Sequence, residues 1–139
     1  MKAAIIPLAT LSIGACSSER EPLVTVSDAR VIALPTSAAA YFTLANSGGR
    51  DRLISVDAGA VGKASLHETR MDGDMMRMRR LDEGIEVPAG GRMLLSANGK
   101  HVMIQPLARP LMDGSAIRLT LRFERQGPVT ISAPVSGPR

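Results

Sequence analysis

Soft metal ligands are concentrated in one part of this 139-residue chain. It has two histidines, His67 and His101, and the seven methionines beyond the first residue all fall in the range 71–112. Methionine fills irregular gaps anywhere in a core, so packing methionines should be scattered, yet the strand-like segments 39–46 and 116–124 contain none. The clustering indicates a role for the thioethers other than packing.

Strand geometry would bring these side chains together. Residues i and i+2 of a β-strand point to the same face. The segment 101–103, His-Val-Met, therefore presents an imidazole beside a thioether, and Met76 and Met78 share a face. His67 lies on the preceding strand of a predicted hairpin. Each of the two strand segments can thus direct soft ligands to one face, and His67 supplies a further ligand.

The ligand types favour copper over other metals. Thioether sulfur is soft and neutral and suits Cu(I), whereas imidazole binds several transition metals. Zinc sites use His, Cys and carboxylate, and calcium needs more oxygen ligands than Asp72 and Asp74 supply. A blue-copper electron-transfer site needs a cysteine thiolate, but the only cysteine is Cys16, near the N-terminus. Two His and two Met would form a neutral set for Cu(I), which indicates copper binding and not electron transfer.

The elements that must position these ligands are β-strands. Short alternating runs rich in β-branched residues are separated by Gly, Pro and Asn, and Asp72-Gly73-Asp74 between two such runs predicts a hairpin. The pattern predicts about eight to ten strands and at most a helical turn in 59–65. We therefore predict an all-β fold, an antiparallel Greek-key β-sandwich. The longer predicted strands are 23–34, 39–46, 52–58, 64–71, 75–81, 116–124 and 129–135.

The first residues have the layout of an export signal. Residues 1–15 combine Lys2 with an apolar run and then small residues, which is typical of a secretory signal and too short to span a bilayer. The residues Ile-Gly-Ala before Cys16 resemble the lipobox of bacterial lipoproteins, in which the cysteine is diacylated and becomes the mature N-terminus. Two acyl chains anchor a protein stably. The alternative is an ordinary signal peptide with an incidental cysteine.

This layout predicts one exported domain on a membrane anchor. We expect a periplasmic protein with the signal peptide at 1–15, a tether with lipidated Cys16 at 16–22, the domain at 23–135 and a tail at 136–139. The net charge is +4, and the chain has one Tyr and two Phe, so a nucleic-acid surface of clustered basic and aromatic residues is not predicted. No paired carboxylates or serine elbow point to an enzyme.

Longer motifs resemble a known family. His67 is followed by ten residues and then Met78, and the pair His101 and Met103 comes later, with the phrases LHET, MRMR and VPAGG around them. Over about 24–134 the sequence resembles the periplasmic copper chaperones called PCuAC. The resemblance implies a cupredoxin-like β-sandwich that binds one Cu(I) through these four side chains. It also implies delivery to the binuclear copper centre of cytochrome c oxidase, alongside Sco-type thiol proteins.

Two departures and two alternatives accompany this resemblance. The spacing from Met78 to the second histidine is one residue longer than in the family, and Lys100 and Gln105 stand where the family often has large apolar residues.

Met76 is expected to pack beneath the site or to act as an alternative ligand. Met71 and Met75 are expected at its rim, and Met93 and Met112 in packing. The alternatives are a copper-storage lipoprotein and an immunoglobulin-like structural module without metal; in every case we expect a monomer.

Overall fold

The computed structural model describes residues 20–137, and these form ten β-strands and one 3-10 turn, with no α-helix among them. The strands are β1 (Val24–Ala33), β2 (Ala38–Asn46), β3 (Asp51–Asp57), β4 (Gly62–Asp72), β5 (Met75–Arg80), β6 (Ile85–Val87), β7 (Arg92–Leu94), β8 (Lys100–Leu107), β9 (Ala116–Phe123) and β10 (Gly127–Ser136), and the turn is Gly59–Val61. The predicted number of strands and the helical turn are confirmed.

The predicted signal peptide and Cys16 lie outside the described residues, as do the last two residues of the predicted tail. Within residues 20–137, no helix has the length and hydropathy needed to cross a membrane.

The strands form two layers. One layer has the order β5-β4-β8-β2-β1. Along one edge of β2, β8 pairs with the first residues of the strand and β7 pairs with its C-terminal half. The other layer has the order β10-β9-β3-β6. Pairing between the described strands is antiparallel except for β1 with β10, where the register Val31↔Val135 joins the layers at one edge. The predicted all-β sandwich is confirmed, with one parallel pair added.

Side-chain alternation fixes which residues face the core. Leu66 of β4, Val102 of β8 and Phe42 of β2 are buried, and they belong to the same apolar cluster as Leu53 and Leu121 of the second layer. Each such side chain stabilises the fold by about 1.5–3 kcal/mol. A one-residue slip of a strand would move its whole buried set into water. The core therefore fixes the register, and the residues between these positions face outward.

The β4–β5 hairpin extends beyond the core. Its loop is Gly73-Asp74, with Asp72 paired to Met75, and Gly73 has a φ of 64°, the positive value that a tight hairpin turn needs at its first loop residue. All residues in the range 70–80 are exposed. The predicted hairpin is confirmed, with a loop of two residues instead of three.

Candidate metal centre

The two histidines lie side by side on the outer face of the first layer. His67 of β4 is paired directly with His101 of β8, and their ring centroids are 6.2 Å apart with an angle of 22° between the planes. Their neighbours Leu66 and Val102 are buried in the core, so both imidazoles point away from it. The structure brings these two predicted ligands together.

Met103 lies on the same face, two residues after His101. It is half-buried and is paired with Ser65 of β4 on one side and with Ala39 of β2 on the other. It is therefore a diagonal neighbour of His67, at about 7–8 Å in an antiparallel sheet, a distance that long side chains can bridge. The small side chain of Ala39 leaves room for the thioether.

Met78 lies at the margin of this group. It is on β5, paired with Thr69, which makes it the diagonal neighbour of His67 on the side away from Met103. It shares the outer face, but its side chain is 55% exposed. Of the four predicted ligands, the structure thus groups two histidines and Met103 and places Met78 one diagonal step further out.

Hydrogen bonds orient both imidazoles. Nδ1 of His101 lies 3.0 Å from the carbonyl oxygen of Gly99, and because a carbonyl only accepts, Nδ1 carries the proton and Nε2 keeps its lone pair. This arrangement is typical of metal-binding histidines, in which the second nitrogen is fixed by a backbone carbonyl. Nε2 of His67 is 2.8 Å from the hydroxyl oxygen of Ser65, so that hydroxyl occupies one nitrogen of His67.

The surroundings of His67 favour its neutral form. The pKa of His67 is lowered below its ordinary value of 6.5, chiefly by burial and to a smaller extent by His101 and Arg80, while Asp82 acts in the opposite direction. Arg80 is paired with His67 across β4 and β5 and makes an ion pair of 2.7 Å with Asp82. A neutral imidazole is the form that binds metal, so His67 is ready to act as a ligand at neutral pH.

Tyr41 and Arg30 extend the row of side chains across the sheet. The Tyr41 ring centroid is 6.3 Å from that of His101, and the Arg30 guanidinium carbon lies 5.2 Å from the Tyr41 ring centre. With this cover, His101 is only 3% exposed. Sequence reasoning did not identify Tyr41 or Arg30, because only the register of strands far apart in the chain connects them to the histidines. It also did not identify Ser65, although Ser65 lies two residues before His67 on the same strand and the alternation of side chains places both on one face.

Lys100 and the longer spacing leave this face intact, whereas Gln105, two residues after Met103 on β8, lies on it. Lys100 is paired with Glu68 and points to the opposite face from His101, so it does not touch the candidate ligands. The longer spacing before His101 is absorbed between β5 and β8, because the pairing of His101 with His67 is undisturbed.

The packing predictions for two methionines are wrong, and that for a third is confirmed. Met112 is 76% exposed and Met76 is 60% exposed, so neither packs against the core; the other alternative for Met76, a role as a metal ligand, stays a prediction. Met93 is partly buried against the core, as predicted. Within the described part of the chain, no three or more His, Cys, Asp or Glu side chains are grouped so that they could hold a metal ion.

Comparisons with known proteins identify the family of this chain. The profile of the family described as "Putative lipoprotein LpqE-like" matches residues 24–135. The "Putative lipoprotein Lxx21020" of Leifsonia xyli subsp. xyli is 32% identical over 98 residues, which are 70% of this chain and 59% of that protein. The match therefore spans less than two thirds of the length of this relative.

Solved structures with the same fold bind copper. The copper-bound PCuAC domain from PmoF2 has a TM-score of 0.67 and 26% identity over 83% of this chain and 93% of its own. The solution structure of the Cu(I) form of DR1885 from Deinococcus radiodurans has a TM-score of 0.67 and 27% identity over 87% of this chain and 83% of its own. The resemblance to PCuAC domains is confirmed.

Proposed function

Since the chain belongs to the LpqE-like family and shares the fold of copper-binding PCuAC domains, we propose that it is a copper chaperone. It carries one Cu(I) ion on the outer face of β4, β5 and β8. The observation that supports this most directly is the pairing of His67 with His101, with Met103 beside them on the same face.

The proposed ligands are Nε2 of His101, an imidazole nitrogen of His67, and the sulfurs of Met103 and Met78. All four are neutral, and soft thioethers favour Cu(I) over harder cations. His101 is buried and Met78 is exposed. The ion is therefore held from the protein side and open from the solvent side, where an acceptor can replace Met78 first. Such ligand exchange is what a carrier needs, because it must release its ion as well as bind it.

The proposed location is the periplasm, on a membrane anchored through Cys16. The seven residues of the tether 16–22 reach at most about 25 Å when fully extended. The domain then stays close to the membrane surface, which suits a membrane-bound copper acceptor. We propose the binuclear copper site of the cytochrome c oxidase copper subunit as this acceptor, with a Sco-type thiol protein as a further partner.

Competition titration with a Cu(I) chelator under reducing conditions tests metal binding. We expect one tight equivalent in the wild-type domain and weaker binding in Met103→Leu. Met112→Leu makes the same chemical change at a position 76% exposed outside the site and should bind as the wild type does. Affinity weaker than about micromolar, which is about 8 kcal/mol of binding free energy, would refute copper transport.

A transfer assay separates delivery from storage. The Cu(I)-loaded protein is mixed with an apo copper domain of an oxidase, and the two are separated and analysed for copper. Delivery predicts that copper moves to the acceptor faster than it does through a chelating buffer. Copper that stays on the loaded protein would indicate a storage role.

A further inference from the structure

Three methionines are exposed together at the tip of the β4–β5 hairpin. Met71, Met76 and Met78 are 64%, 60% and 55% exposed. Single exposed apolar side chains are common and need no explanation. A contiguous group on one face is different, because it exposes three large apolar side chains to water at positions where polar residues would carry no free-energy cost.

The strand register brings the three sulfurs to one place. Met71 is paired directly with Met76, and directly opposed side chains in an antiparallel pair have Cβ atoms about 4.5–5.5 Å apart. Met78 follows Met76 by two residues and shares its face. Methionine side chains are flexible, so three thioethers at these positions can turn towards one point.

The two faces of the hairpin differ in chemistry. On the other face, Glu68 forms ion pairs with Arg70 at 3.1 Å and with Arg79 at 3.6 Å, and a separate ion pair at 3.0 Å joins the two strands nearer the loop. Met75 also lies on that face, opposite Asp72. Two of these three ion pairs connect the hairpin strands, and all three keep charged groups on this face. The strands are therefore held together without Met71, Met76 and Met78, so these three side chains are available for another role.

We propose that Met71, Met76 and Met78 form a second, weaker site for a soft monovalent cation, which is Cu(I) in the cell. Three neutral sulfurs offer no anionic or oxygen ligand, so calcium, magnesium and zinc are excluded, while Cu(I) accepts such a set. The site captures the ion at an exposed end of the sheet.

Met78 connects this site to the histidines. It is a neighbour of Met76 along β5 and a diagonal neighbour of His67 across the pairing with β4. An ion can pass from the tip to the histidines while Met78 stays bound: one copper–sulfur bond breaks as one copper–nitrogen bond forms. The metal remains Cu(I) throughout, and no proton or electron moves. This transfer role rests on the proposed function, whereas the existence of the site does not.

The test removes the histidine site first. In a His67→Ala/His101→Asn variant with methyl-labelled methionines, Ag(I), a redox-stable analogue, and then Cu(I) are titrated and followed by NMR. We expect the methyl signals of Met71 and Met76 to shift. The affinity should be lower than in the wild type by about a factor of ten or more, which corresponds to about 1.4 kcal/mol.

Matched variants in that background decide the outcome. Adding Met71→Leu and Met76→Leu should abolish Ag(I) binding, whereas adding Met75→Leu should not, because Met75 is equally exposed on the same hairpin but faces the other way. Methyl signals that do not respond to Ag(I), or equal loss with Met75→Leu, would overturn the proposal. Metal-independent shifts that depend on protein concentration would also overturn it, since they would identify a contact between copies.

The same measurements separate this proposal from the proposed function. If the wild type binds no tight equivalent but the methionine signals still respond in the variant, the chaperone site fails and the tip site stands. If the wild type binds tightly and the variant shows no response, the tip site alone fails.

Discussion

One substitution can separate the structural role of His101 from its proposed role as a ligand. Its Nδ1 donates to the carbonyl of Gly99 at 3.0 Å, and the ring is 3% exposed. In His101→Asn the side-chain amide can still donate to Gly99, because its nitrogen takes nearly the place of Nδ1, but no counterpart of Nε2 exists. In His101→Ala both the donor and the ligand nitrogen are lost.

The expected magnitudes follow from these contacts. Loss of a residue that merely supports a ligand typically costs 10–100-fold in metal affinity, so loss of the ligand itself should cost at least about 100-fold, or about 2.7 kcal/mol, in both variants. For stability, His101→Ala loses a hydrogen bond of about 1 kcal/mol and the burial of most of a ring. We expect a total of about 2–3 kcal/mol. At roughly 4 °C per kcal/mol, its Tm should fall by about 10 °C, and that of His101→Asn by half of this or less.

The assay pairs chelator competition for Cu(I) with thermal unfolding of the metal-free protein. Met112→Leu serves as a control for handling and oxidation. The reasoning is refuted if His101→Asn binds Cu(I) with wild-type affinity. It is also refuted if His101→Asn and His101→Ala lose the same stability, because the Gly99 hydrogen bond would then contribute nothing.

Three further changes test other parts of the structure. Because the pKa of His67 is lowered below 6.5, Cu(I) affinity should be constant at neutral pH and fall only as the pH drops below 6.5. The unfolded chain takes up this proton at a higher pH than the folded one, so stability should also fall as pH drops through 6.5; affinity independent of pH would show that the histidines are not ligands. Asp51→Ala should lower the free energy of unfolding by about 3–5 kcal/mol in denaturant titration, because the buried carboxylate accepts three backbone N–H groups at 2.8–2.9 Å, and Cu(I) affinity should not change. Ser65→Ala should raise Cu(I) affinity about fivefold, or about 1 kcal/mol, because the ion no longer displaces the hydroxyl from Nε2 of His67; a lower affinity would mean that Nδ1 binds the ion and that Ser65 supports it.

The strands were predictable because their signals are local. The alternation in 39–46 and 116–124 and the glycine turn before Met75 each depend on neighbouring residues. The Gly-containing turn between two alternating runs also predicted that His67 and Met78 would lie on one hairpin, which the structure shows.

The neighbours of the site on other strands were not predictable in this way. Tyr41 meets His101 only through the pairing of β8 with β2, strands far apart in sequence, whereas Ser65 lies two residues before His67 on the same strand and could have been found from the alternation of β4. No local pattern sets that register; the buried faces of all the strands set it together. The packing alternative for Met76 was wrong because an apolar residue was expected to be buried, but the hairpin extends past the core that could have covered it.

The topology gives the proposed copper path a direction. Strand β4 runs antiparallel to β8, and β8 runs antiparallel to β2, so β4 ends at the same end of the sandwich as β2. There Val24, near the start of the described chain, is paired with Asn46. With Cys16 as the proposed anchor, the methionine tip therefore points to the end from which the tether leaves, and the histidines lie further from it. In the proposed path, a short tether would present the exposed methionine ligands to partners at the membrane surface. The buried His101 would hold the ion before it is transferred.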